Sequence, residues 1–203
     1  MPKMKKPLEL ASYEDIFKTD KPGATVDGEV WETPLADLHL PEHFPFKLRE
    51  DAAMWENAEN IREGAAVVPC VVWTRSAGGY EVITGQRTMR ACELAEKATV
   101  PVILNEMDDD AATILMVNTN LPQDKVLPSE MAWALRLKLE ALCHRGRKLE
   151  GVDPGTLSIE ILAEQTGKTK NQIYRYAHLT ELVPALLDMV DEGRIAFTVA
   201  ADY

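Results

Sequence analysis

No apolar run in the 203 residues approaches the roughly 20 that a bilayer-spanning helix needs, and the opening Met1–Lys6, rich in lysine, leads into no apolar core. Neither a membrane anchor nor a secretory leader is therefore expected, and a cytoplasmic protein is the expected setting. Cysteine is scarce: Cys70, Cys92 and Cys143 are scattered without metal-ligand spacing, which excludes a disulfide framework and a zinc module. His43, His144 and His178 likewise show no ligand spacing. Aromatic residues make up 6% of the chain, and Trp31, Trp55, Trp73 and Trp133 are spaced for core or interface packing rather than for a base-stacking platform. Positive charge is also short. With 22 Lys and Arg against 33 Asp and Glu, the net charge of −11 excludes a chain that coats nucleic acid with its whole surface.

That deficit is uneven. Residues 1–128 carry net −9 and residues 129–203 only −2. Two basic clusters lie in the second part: Arg136, Lys138, Arg145, Arg147 and Lys148, then Lys168, Lys170 and Arg175. Residues 1–30 lack lasting periodicity and read as a mobile arm. From Trp31 to Phe46 a short edge strand is expected, then a helix over Asp51–Glu63, a strand over Val67–Trp73, and a turn into a second strand at Tyr80–Thr84. A helix opening at Gly85 runs to about Lys97, a third strand covers Val100–Leu104, and the acids Asp108–Asp110 start a helix reaching about Val117. Strand signals then stop. Pro128, Ser129 and Glu130 start a helix with Leu135, Leu139 and Leu142 on one face, residues 146–156 form a loop, and Val183–Glu192 is a helix closed by Gly193, with the start of another helical segment expected after it. The expected class is α+β: an α/β domain over residues 31–118, followed by an all-helical domain over 119–203.

Residues 158–180 are the most telling. Ala163, Gly167 and Ile173 have the spacing of a helix-turn-helix: a small residue at the crossing, a glycine in the turn and an apolar residue pointing back into the core. Leu162, Tyr176 and Leu179 complete the seam. Thr169, Lys170, Asn171, Gln172, Tyr174 and Arg175 are left on the outer face of the second helix, where such residues donate to phosphates and read base edges of double-stranded DNA, and no acid interrupts them. A second motif runs from Thr84 through Gly85, Gln86, Arg87, Thr88 and Met89 to Arg90 and Ala91, at a strand-to-helix turn. Glycine there turns backbone amides toward an anion, and two arginines three apart on one helix face suit phosphate oxygens.

The stretch Val82–Ala95 resembles the signature of ParB-type partition proteins, which reads Gly-Glu-Arg-Arg-x-Arg-Ala after a strand. Residues 61–72 are similar to the helix and strand that precede it in that family. Residues 119–132 align without gaps to its Glu-Asn-x-Gln-Arg-x-x-Leu-x-Pro-x-Glu-x-Ala, and the helix-turn-helix follows in the same order. The resemblance covers residues 31–200 and is nearest to ParB-like proteins on mobile elements of Gram-positive bacteria. It implies a ParB/sulfiredoxin-like N-terminal domain, sequence-specific DNA binding in plasmid, chromosome or mobile-element partition, a ParA-type ATPase partner and a homodimer in the full-length protein. It also implies a CTP and Mg²⁺ pocket at Gly85, Gln86, Arg87, Arg90 and Asn120. Thr88 and Gln123 replace two arginines of that pocket, and Thr119 replaces the glutamate that ligates Mg²⁺, so weak or absent CTP binding is expected, Glu130 being the acid that would have to substitute. The alternative is a nucleotide-dependent enzyme, a CTPase or nuclease, using the Gly85–Arg90 turn. Sulfiredoxin has a cysteine where this chain has Gln86, and Cys92 reads as a packed residue.

Overall fold

The computed structural model describes residues 29–75, 78–122, 126–146 and 154–201. The arm read over residues 1–30 lies outside them except for its last two residues, and Val30 already belongs to the sheet.

Five strands form one mixed sheet: β1 (Val30–Pro34), β2 (Leu38–His39), β3 (Cys70–Thr74), β4 (Tyr80–Thr84) and β5 (Thr99–Leu104), in the spatial order β1-β5-β3-β4-β2. β1 pairs antiparallel with β5 and β2 parallel with β4, so residues 30–39 cross from one sheet edge to the other. Sequence reasoning expected one edge strand in this stretch and there are two. Pro34 ends the first, and a single 3-10 turn over Leu35–Asp37 starts the second.

Alternation sorts the strands' side chains between two layers. Cys70, Val72, Val82, Val100 and Val102 pack with Met54, Ala58 and Ile61 of α1 (Ala52–Arg62) and with Met89 and Cys92 of α2 (Gln86–Leu94). Ile83, and Trp73 beside it, face the opposite way onto Ala112, Leu115 and Met116 of α3 (Asp109–Asn120). Asp51 and Asp108 cap α1 and α3, their carboxylates accepting from Met54 N at 2.9 Å and Ala111 N at 2.8 Å.

The helical part is organised around α4 (Pro128–Gly146), on which α5 (Pro154–Thr166), α6 (Lys170–Leu179) and α7 (Pro184–Asp191) pack; a short α8 (Phe197–Ala200) closes the chain. Leu135 meets Ile159, Leu162 and Ile173, Ala132 meets Leu179, Leu187 and Val190, and Ala134 joins the α3 layer. Small residues on α4 let four neighbours approach one rod, and Ala132 and Ala134 are fully buried.

Two sequence-derived boundaries shift. α3 runs past residue 118 to Asn120, since Thr119 and Asn120 bond back to carbonyls of their own helix, and its layer shares Phe46 and Ala134 with the chain on either side. The loop expected over 146–156 is already helix at Pro154, where a first-turn proline needs no N–H partner.

Lys138 is the clearest correction. Counted in the sequence among the first basic cluster, it is not at the surface but 1% exposed, with Nζ donating to Asn118 Oδ1 at 2.6 Å. Three residues after Leu135 and four before Leu142, it shares the inward face of α4. Its cluster neighbours are paired too, Arg136 with Glu140 and Thr180 and Arg145 with Asp108, while Arg147 and Lys148 lie outside the described residues. Of the four tryptophans expected in a core or an interface, Trp31, Trp55 and Trp133 are 40–56% exposed and so lie outside the core, whereas Trp73 is half-buried and donates to Glu81.

Candidate nucleic-acid interface and anion cleft

The helix-turn-helix is built by α5 and α6. Leu162, Ile173 and Leu179 are buried with Ala163 and Tyr176 against them. Gly167 makes the turn at φ +64°, a left-handed conformation in open space. Thr169 then starts α6 through a capping box: its hydroxyl accepts from Gln172 N at 3.2 Å while Gln172 Oε1 accepts from Thr169 N at 2.9 Å. Locked by cap and core, α6 exposes all six residues singled out on its outer face, Tyr174 at 53%. They are not equivalent. Thr169 and Gln172 are committed to the cap, and Lys170 is bound to Glu160 of α5 at 2.6 Å. Asn171, Tyr174 and Arg175 are exposed on the same face. His178, exposed, lies 3.8 Å from Glu181.

The second site is the β4–α2 turn. Gly85 takes φ +91°, and a Cβ there would sit 2.7 Å from Cys70 Sγ, whose thiol donates to Gly85 O. Conformation and space both demand glycine. Gly85→Ala is expected to destabilise the protein by about 1–3 kcal/mol, read as a lowered urea midpoint. Cys70→Ala in the same chain should recover part of the loss; no recovery would show that backbone strain alone is responsible.

Beside the turn lies a cleft of about 180 Å³ lined by Phe44, Phe46, Lys47, Leu48, Thr84, Gly85, Gln86, Arg87, Thr119 and Asn120. The turn and the Thr119–Asn120 motif, distant in sequence, thus meet in one place. Gln86 does not offer its amide to the cleft: it is 3% exposed, and its Nε2 donates to Val82 O and Ile83 O, tying α2 to the strand before it. Asn120 is also buried and donates to Met116 O at 2.8 Å. Arg87 reaches Asp51 at 2.8 Å and Arg49 O at 3.3 Å, and Arg90 is held by Glu50 and Glu93. These pairings lower the Asp51 carboxyl below its usual range, chiefly through the Arg87 hydrogen bond, and raise Arg90 through Glu93 and then Glu50.

The residues present do not fit a Mg²⁺–triphosphate. Thr119 turns its hydroxyl onto Leu115 O and Met116 O, where the family has a carboxylate. The Glu130 oxygens accept from Lys47 N at 2.8 Å and Leu127 N at 2.7 Å and pair with Arg49, so that acid is not offered as a substitute ligand. Among the described residues no three His, Cys, Asp or Glu side chains are grouped to hold a metal. A cleft of this size is also below the ~300–1,000 Å³ usual for drug-sized ligands, and suits a small anion better than a whole nucleotide. Gln123 lies outside the described residues. Cysteine chemistry has no foothold beside the turn either: burial pushes the Cys70 thiol up to about 12 and raises Cys92, which is fully buried.

Sequence reasoning missed the polar junction beneath this cleft. Asp191 of α7 accepts from Ser129 N at 2.9 Å and Ser129 Oγ at 2.6 Å, and Lys47 joins it at 3.3 Å. Together with Glu130 it straps the segment before α1 onto α4 and α7. The only sequence signal was Glu130 at the third position of a helix begun by proline, half of a capping box.

The fold is a mixed-sheet domain with a glycine turn between β4 and α2, joined through one long helix to a helix-turn-helix. The family model described as the ParB N-terminal domain matches residues 19–121, just over half of the chain, and the protein belongs to that family. It is 28% identical over 167 residues to stage 0 sporulation protein J of Bacillus subtilis, covering 82% of this chain and 54% of that protein. The chain spans about half the length of the curated relatives it matches. The crystal structure of C-terminally truncated ParB from Caulobacter crescentus complexed to the centromeric parS site shares the fold, with a TM-score of 0.50, 20% identity and 84% of this chain and 82% of that one covered. The same protein complexed with CTP-gamma-S aligns at a TM-score of 0.43 and 21% identity, over 86% of this chain and 91% of that one. No helix among the described residues is long and apolar enough to cross a membrane.

Proposed function

We propose that this protein binds double-stranded DNA at a specific sequence through α6, as a partition protein of the ParB type, and acts by binding rather than by catalysis. The observation that carries the reading is the outer face of α6. Seven of the ten residues from Thr169 to His178 are exposed there, with no acid among them, on a helix fixed by a capping box and a buried seam. A helix held so rigidly loses little freedom on entering a major groove, and Asn171 and Arg175 have the donor geometry for base edges. The complex of a relative with its centromeric site supports the same assignment. Membership in the family further supports two copies on a two-fold site and a ParA-type ATPase as partner, with the protein working on a nucleoid or plasmid. At the β4–α2 turn we infer an anion site that has lost the Mg²⁺ ligand of a full CTP pocket.

Selection of bound sequences from random duplexes at two salt concentrations gives the test. Asn171→Ala and Arg175→Ala are each expected to cost about 1–3 kcal/mol for every base edge no longer read, and to alter site preference. Lys170→Ala should weaken binding evenly across sequences and lower the salt slope by about one. Unchanged duplex binding in all three variants would remove α6 from the interface. Sedimentation with a palindromic duplex should give two chains per site.

A further inference from the structure

We propose that Glu50 and Asp51 are built-in competitors at the Gly85–Arg90 turn, so that a phosphate ligand binds there only by displacing them. The proposal rests on the reading of that turn as an anion site and adds how it is regulated. Arg87 and Arg90 are the turn's two guanidiniums, and each is engaged by one of two adjacent acids that lie 36 and 40 residues earlier in the chain. The acids are presented by a segment fixed at both ends. Downstream, Asp51 also caps α1, its Oδ1 shared between Met54 N at 2.9 Å and Arg87 at 2.8 Å. Upstream, Lys47 N and the Arg49 guanidinium are held by the buried Glu130, and Phe46 is buried in the α3 layer. A pinned segment surrenders little conformational entropy when its carboxylates pair, so their effective concentration at the arginines is high. Phe44, Phe46, Lys47 and Leu48 of the same segment line the cleft, placing competitor and cleft wall on one piece of chain.

The pairs are nevertheless displaceable. Arg87 with Asp51 and Arg90 with Glu50 are 36–52% exposed at their side chains, where a single ion pair contributes little. A ligand carrying several phosphate charges on neighbouring oxygens engages both arginines at once and outcompetes two separate carboxylates. Because Arg87 holds the Asp51 carboxyl low, the competitor is ionised throughout the neutral range. Arrival of the anion therefore releases the Glu50 and Asp51 carboxylates from the two arginines while the segment stays held by Glu130 and the α3 layer.

The experiment uses the full chain with Glu50→Gln and Asp51→Asn combined; asparagine still caps α1. Inorganic tripolyphosphate, and CTP separately, are titrated calorimetrically at fixed ionic strength. The double variant is expected to bind tripolyphosphate on the order of tenfold more tightly than the wild type, Glu50→Gln alone to give a smaller gain, and Arg90→Ala in the double variant to remove it. A control with Glu56→Gln and Glu164→Gln, which lowers the negative charge equally, should bind like the wild type. The same gain in that control, or retention of the gain after Arg90→Ala, would make the effect one of general charge and overturn the proposal. Equal affinity of wild type and double variant would overturn the competitor role while leaving the anion site standing. No binding by any variant, each confirmed folded by its thermal midpoint, would overturn both.

Discussion

Glu130→Ala is expected to lower the stability of the protein by about 3–5 kcal/mol, a large part of the total for a chain of this size. The carboxylate is 4% exposed and each oxygen has its own work. Oε1 accepts from Lys47 N, and Oε2 accepts from Leu127 N and faces Arg49 at 3.5 Å. Truncation strips the acceptor from two backbone N–H groups, removes a carboxylate from beside the half-exposed Arg49 and opens a small cavity. Glu130→Gln keeps an acceptor oxygen and the volume, so about 1–2 kcal/mol is expected. Urea midpoints of the two variants check this, and amide exchange should show the extra opening concentrated at Lys47 and Leu127. A loss below about 1 kcal/mol for Glu130→Ala would mean that water replaces the carboxylate and that the strap is not a structural tie.

Much of this architecture is legible in the sequence because its determinants are local. The period of two in Tyr80–Thr84, the capping acids Asp51 and Asp108, and the Ala163–Gly167–Ile173 spacing each act within one or two turns of chain. The seam of the helix-turn-helix was readable for that reason. The second edge strand was not, since β2 is only Leu38 and His39 and exists by pairing with β4, more than forty residues away. Helix ends moved for a related cause: Thr119 and Asn120 satisfy their own turn and prolong α3, a choice that composition does not reveal.

At the sites, sequence finds residue types but not their partners. The outer face of α6 was readable as a set, yet the division of labour within it was not: Thr169 and Gln172 serve the cap and Lys170 is taken by Glu160. Gly85 was placed correctly in the turn, but the second reason for glycine, the Cys70 sulfur, comes from a neighbouring strand. Gln86 and Asn120 fall at the cleft and turn their amides into the protein. Glu93 on Arg90 is a local i,i+3 partner, but Glu50 and Asp51 come from before α1, a distance no motif spans. Counting Lys138 in a basic cluster went by residue type alone, although its spacing from Leu135 and Leu142 already put it on the inward face.

Lys138→Met is expected to stabilise the protein at neutral pH by about 2 kcal/mol and to flatten its pH dependence above pH 8. Burial lowers the ammonium from its ordinary 10.5 to about 8, the neutral Asn118 amide being the partner that the described residues give it in place of water. Below pH 8 folded and unfolded chains both hold the proton, and the fold carries the full cost of burying a charge. Between pH 8 and 10.5 the unfolded chain binds more protons than the folded one, so stability rises with pH. At about 1.4 kcal/mol per unit the gain reaches about 3 kcal/mol, before other groups titrate. Methionine fills nearly the same volume without the charge, so the variant should have the gain already at pH 7 and lose that slope. Part of it is returned at Asn118, whose carbonyl loses a donor, but that residue is only partly buried and water can take the place. Thermal and urea unfolding of both proteins at pH 7 and pH 9.5 decide the matter. A Lys138→Met protein less stable than the wild type at both values would show instead that a charged lysine ties α4 to α3, with Asn118 offsetting its desolvation.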